Sequence, residues 1–214
     1  MFIELVDALR CPRPHEESWL VLAASRMEAR HVEEGTLGCP VCHAEYPIRG
    51  GIADFRVDAA PAASHSDDAP SAVDHVPADA LAAMLDLGDA LGFAVLLGEW
   101  GRRAGALLEL EPIPPLLLVN PPDGVPIVPG LSGVRSDAAS PLAPGAARAA
   151  AADGAHAQHL TWAVQATRAG GRVVAPAAAG VPPGVRELVR DARLWVGERE
   201  AAPSPLVRLH VRRG

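Results

Sequence analysis

Lysine is absent: all 19 basic residues of this 214-residue chain are arginine. Against them stand 26 acidic residues, for a net charge of −7. That balance excludes a general nucleic-acid binder, because phosphate contacts need clustered positive charge. Aromatic residues are scarce at 4%, although hydrophobic residues reach 49%. A packed core is feasible, and it has to be built from Ala, Val and Leu. No apolar run reaches the ~20 residues needed to cross a bilayer, so no transmembrane segment is expected. The opening residues, Met1 to Asp7, carry acid where a secretory signal carries basic charge. The expectation is a soluble, cytoplasmic protein, with peripheral attachment to a membrane-associated complex still compatible. Cysteine is scarce too. Three residues cannot make a disulfide framework, and two of them sit in a Cys-x-x-Cys pair, which reads as metal or redox chemistry.

What is present starts with that pair. Cys39-Pro40-Val41-Cys42 can point two thiols at one metal ion, and Tyr46 to Phe55 follow as a turn and short strand. Upstream, residues 2–10 have the spacing of a short helix, with Phe2, Leu5, Val6 and Leu9 on one face. A Pro-rich turn from Cys11 to His15 leads to a strand from Trp19 and a polar second strand and turn from Arg26 to Gly35. Cys11, His15, Cys39 and Cys42 are the candidate metal ligands, since zinc takes four Cys or His ligands in a tetrahedron. His43 competes for the fourth place, and His31 reads as an exposed strand residue. The alternative is a small buried Cys11 beside a turn without metal. A redox role for Cys39 and Cys42 lacks the surrounding thioredoxin-like pattern.

Leu9-Arg10-Cys11-Pro12, Cys39-Pro40-Val41-Cys42 and Tyr46-Pro47-Ile48-Arg49-Gly50-Gly51-Ile52 together resemble the Trm112-like zinc-ribbon family. The match covers about the first quarter of the chain. It departs at Pro14, where the family pattern has a cysteine. The resemblance implies a zinc-ribbon-like β module over residues 1–57. It also implies a protein that binds and stabilises partners such as methyltransferases.

Residues 58–78 are small, polar and Pro-punctuated, and read as a flexible linker. His65, Asp67, Asp68 and His75 within it read as solvated side chains. From residue 79 to 214 helical stretches alternate with apolar runs. Helices are expected at 79–87, 100–110, 155–169 and 185–191. Strands are expected at 93–98, 115–120, 172–176, 194–198 and 206–212, with a short strand at 133–137. Residues 146–153 suit a strand or a helix. Repeated strand–helix units predict an α/β fold with a mostly parallel, Rossmann-like sheet and antiparallel C-terminal strands.

This succession, with Gly170-Gly171-Arg172-Val173-Val174, resembles the class I S-adenosylmethionine-dependent methyltransferase fold. That family carries a glycine-rich turn after its first strand and an acid after its second. Here Gly98 aligns with the first glycine, Trp100 stands where the next glycine falls, Gly101 opens the helix, and Asn120 replaces the acid. If S-adenosylmethionine binds, Gly98, Trp100, Gly101 and Asn120 are its contacts, with Trp100 a candidate plug of the crevice. An asparagine cannot supply a carboxylate's charge and paired acceptors. No catalytic set stands out: His156, His159 and Asp153 read as helix-start surface, and Asn120-Pro121-Pro122 as a strand-ending turn. The expectation is a non-catalytic interaction or scaffold subunit of a larger complex with a protein partner. The alternative is a methyltransferase with an altered cofactor turn.

Overall fold

The computed structural model describes residues 1–56, 72–137, 140–154 and 157–201. The expected strand at 206–212, most of the expected linker and His156 lie outside the described residues.

A 3-10 helix, Ile3–Ala8, opens the chain and buries Leu5 and Ala8. It is shorter than the sequence spacing predicts. Leu9 and Arg10 are drawn into extended backbone by bridges to Leu142 and Trp19. Four strands follow as an antiparallel meander: β1 (Val21–Glu28), β2 (His31–Gly38), β3 (Glu45–Arg49) and β4 (Ile52–Asp54). The first turn falls at Ala29, which takes a φ of 43°. β1 therefore runs on through Met27, and the second strand starts later than expected.

The end of the expected linker is ordered. Residues Ala72–His75 form a 3-10 helix, and Val73 and Val76 are buried. Then come α1 (Ala78–Met84), β5 (Ala94–Leu97), a 3-10 turn (Gly98–Arg103) running into α2 (Ala104–Leu108), β6 (Leu116–Val119) and β7 (Leu131–Arg135). The chain continues through β8 (Ala147–Ala151), α3 (Ala157–Ala166), β9 (Thr167–Pro176), β10 (Val185–Arg190) and β11 (Leu194–Arg199).

Among the described residues, eleven strands share one sheet, in the order β1-β2-β3-β4-β7-β6-β5-β8-β9-β11-β10. The mixed α/β class expected from sequence is present. Taken over the whole sheet, meander included, the pairing is mixed. Parallel pairing is confined to β4-β7-β6-β5-β8-β9, with antiparallel strands on both flanks. Two findings account for the difference. The meander joins the sheet through β4, and residues 185–190 form a strand instead of the expected helix. Six residues are too few for a helix to hold itself, so the ladder offered by β11 decides their conformation.

β4 is the joint. It pairs parallel to β7, with Ile52 opposite Gly133 and Ala53 opposite Val134. Backbone bonds extend the seam on both sides, from Gly133 N–H to the Gly51 carbonyl (3.1 Å) and from Phe55 N–H to the Arg135 carbonyl (2.8 Å). Away from the strands, Arg10 N–H reaches the Pro141 carbonyl at 2.7 Å and Phe2 N–H the Ser132 hydroxyl at 2.9 Å.

Alternate residues of the central strands serve two cores, as a pleated sheet covered on both faces requires. Ala94, Leu96, Leu116, Leu118, Ala149 and Ala151 join Leu81 of α1 and Leu107 of α2. Val95, Leu97, Leu117, Val119 and Ala150 join Trp162 and Ala163 of α3. β8 is buried throughout, which resolves its ambiguous alanine-rich sequence as a central strand.

Candidate functional site

Cys39 and Cys42 stand on the turn between β2 and β3. Cys39 N–H donates to the Ala44 carbonyl at 2.8 Å, and His43 N–H returns to the Cys39 carbonyl at 3.0 Å. His43 sits at a φ of 55°, so the knuckle folds back on itself. The second pair comes from the bend after Arg10, where Cys11 N–H donates to the Ser18 carbonyl at 3.0 Å. The Arg10 guanidinium lies over the Trp19 ring and pairs with Glu17 at 3.2 Å, closing the bend.

These turns bring Cys11, His15, Cys39 and Cys42 together, with their ligand atoms all within 4.8 Å of one another. Zinc bonds of about 2.3 Å to sulfur and about 2.0 Å to nitrogen give tetrahedral edges of about 3.8 Å between two sulfurs and about 3.5 Å between sulfur and nitrogen. Cys11 Sγ lies 3.7 Å from Cys42 Sγ, and Cys39 Sγ lies 3.4 Å from His15 Nε2. Both edges fit. His15 Nδ1 is 2.5 Å from the Glu16 carbonyl. An Nδ1–H donated there leaves the Nε2 lone pair for a metal, the usual outer-shell arrangement for a ligating histidine. The residue after Pro14 is thus placed to supply the ligand, its longer side chain spanning the extra position. His43 is outside this cluster.

The electrostatics are uneven. Burial pushes the Cys39 thiol up, but the Cys42 and Val41 backbone N–H groups and the Cys42 and Cys11 thiols outweigh it, and hold Cys39 at about 6. Burial pushes the Cys11 thiol up, partly offset by the Tyr46 hydroxyl 3.3 Å away. Burial and the Cys11 sulfur together raise the Tyr46 phenol. Tyr46 therefore stays protonated and can donate to a Cys11 thiolate.

The second region of interest lies at the C-terminal ends of the central strands. From β5 the chain steps outward to β6 and β7, then returns to place β8 on the other side of β5. In open α/β sheets such a reversal leaves a crevice where ligands bind. The four residues aligned with cofactor contacts all lie near it and are closely packed by the protein, although Trp100 Nε1 is buried without a hydrogen-bond partner among the described residues. Gly98 takes a φ of 62°, and a Cβ there would fall 1.7 Å from Asp153 Oδ2. Trp100 is fully buried in the core beneath α1 and α2, so its bulk fills that core. A Cβ on Gly101 would fall 3.3 Å from Pro122 and 3.5 Å from Pro121. Asn120 donates to the Ser136 carbonyl and accepts from Ser136 N–H, both at 2.9 Å.

Two residues of this region, which the sequence presents as helix-start surface, are buried instead. Asp153 is 6% exposed and His159 is fully buried. Asp153 Oδ1 lies 2.8 Å from His159 Nδ1, its Oδ2 accepts Glu99 N–H at 2.9 Å, and His159 Nε2 lies 3.4 Å from Asn120 Nδ2. The available signal was position: an acid just past a buried central strand stands where α/β sheets gather polar groups. No family model matches this chain, and no curated protein matches it.

Proposed function

We propose that the chain is a non-catalytic interaction or scaffold subunit, combining a zinc-holding ribbon with a methyltransferase-like α/β part that binds no cofactor. The observation that carries this reading is the filled turn after β5, where the Asp153 carboxylate takes the space above Gly98. A cofactor approaching that backbone would have to displace a buried acid that is hydrogen-bonded through both oxygens. Asn120, the substitute for the ribose-binding acid, spends both ends of its amide on Ser136.

The order β7-β6-β5-β8-β9 supports the family likeness of the α/β part. Numbered from β5, it is the 3-2-1-4-5 order of doubly wound folds. The donor set of three thiols and one imidazole supports zinc as the metal, because soft thiolates combined with imidazole suit that ion. Zinc would fix the two turns of the ribbon against each other. The outer edge supports a protein partner: β1 ends the sheet and leaves Val21 62% and Met27 53% exposed, with Trp19 55% exposed just before it. An uncovered apolar edge strand is a ready template for another chain.

Calorimetric titration tests the central claim. S-adenosylmethionine should give no binding heat with the zinc-loaded protein. Micromolar binding would overturn the reading in favour of an active methyltransferase. Elemental analysis of purified protein should give one zinc per chain.

A further inference from the structure

We propose that Asp153 acts as an internal ligand, its carboxylate filling an anion-binding position that the rest of the crevice builds. Two donors among the described residues define the position. Glu99 N–H points into it because Gly98 turns the backbone to a positive φ. His159 Nδ1 is the other, 2.8 Å from the second carboxylate oxygen.

The tautomer of His159 follows from its neighbour. Asn120 is locked by reciprocal bonds to the Ser136 backbone, which fixes its carbonyl on Ser136 N–H and its amide nitrogen on the Ser136 carbonyl. That amide nitrogen faces His159 Nε2, so it donates there and the ring carries its proton at Nδ1. The acceptor demanded by that proton is the Asp153 carboxylate. Backbone from the ends of β5, β6 and β7 thus orients two donors toward one anion, which arrives from the end of β8.

The chemical class the position takes is a small carboxylate. It rests on the reading above that no cofactor occupies this crevice. The S-adenosylmethionine titration of the unaltered protein tests that reading by itself, whereas the experiments below ask only about the anion position.

In Asp153→Gly the two donors remain and the carboxylate is gone. The variant should melt below the unaltered protein. Sodium formate should then raise its melting temperature by a few degrees in a saturable manner, as one-site linkage requires. Sodium chloride at equal ionic strength should not, and neither salt should distinguish itself on the unaltered protein. Equal response of the variant to formate and chloride would overturn the proposal. A measurement on the unaltered protein covers the case in which Asp153→Gly does not fold. Nitrogen-detected NMR should find the His159 ring protonated at Nδ1, with that proton protected from exchange. A ring protonated at Nε2 would overturn the proposal equally.

Discussion

His15 decides whether the four-residue cluster is a metal site or only a cysteine knuckle. Its Nε2 stands where a fourth ligand would have to be, and the Glu16 carbonyl orients it. His15→Ala should reduce zinc affinity by more than the roughly 10–100-fold typical of a lost outer-shell partner. Chelator competition measures it, and unchanged affinity would remove His15 from the ligand set. Proton competition gives a second expectation, since thiols must ionise to bind metal. Cys39, held at about 6, is already ionised at neutral pH, whereas burial keeps the Cys11 proton on above the usual thiol range. Zinc affinity should therefore drop steeply as pH falls below about 6, and keep climbing as pH rises into and beyond the usual thiol range. A flat profile in the same competition assay would contradict this. In the metal-free protein, Cys39 contributes stability above the ordinary thiol range of about 8.5, and that contribution fades as pH falls toward about 6. Cys39 and Cys42 were legible in the sequence because their geometry is local. Asp153 was harder to read, because the backbone it bonds lies 54 residues away and only its place just past an apolar run hints at burial.

The decisive element is β4, a three-residue strand that holds the meander against β7. A Cβ on Gly133 would fall 2.7 Å from Ile52 Cγ1. Gly133→Val should push β4 off its partner and destabilise the fold by about 1–3 kcal/mol, the usual range for overpacking. Denaturant unfolding reads this directly, and zinc content should stay at one per chain because the ligands sit at the far end of β2 and β3. A wild-type midpoint would mean the seam carries little. At this scale the central apolar strands β5 and β6 were legible as continuous runs. β10 was not: Val185-Arg186-Glu187-Leu188-Val189-Arg190 has no strand alternation, and only pairing with β11 distinguishes it from a helix. α3 stops at Ala166, and β9 begins at the next residue, three positions before the Gly170-Gly171 pair that reads as its terminator.

For the molecule as a whole, one sheet runs from the outer edge of the N-terminal meander to the last described strand. The two parts also share a core, in which the Tyr46 and Phe55 rings meet at a tilt with centroids 4.6 Å apart and Leu5, Leu9 and Leu142 belong to the same cluster as Trp162. Removing zinc with a chelator should therefore lower a single melting transition for the entire chain, since a ligand that binds only the folded state stabilises all that unfolds with it. Two separated transitions, only the lower one sensitive to chelator, would show that the parts unfold independently. This continuity was hidden in the sequence, where a Pro-punctuated stretch after Phe55 reads as a boundary and no local pattern announces that β4 pairs with a strand far downstream.

The β4–β7 pairing also has a consequence for biosynthesis. Translation proceeds at about 5–20 residues per second, so β4 is made on the order of 4–15 s before β7 exists to receive it. The four candidate metal ligands, by contrast, are all complete before β4. A nascent chain can close its knuckle on an ion while the strand beside it is still an open edge, and the metal would then act first as an assembly aid on the ribosome.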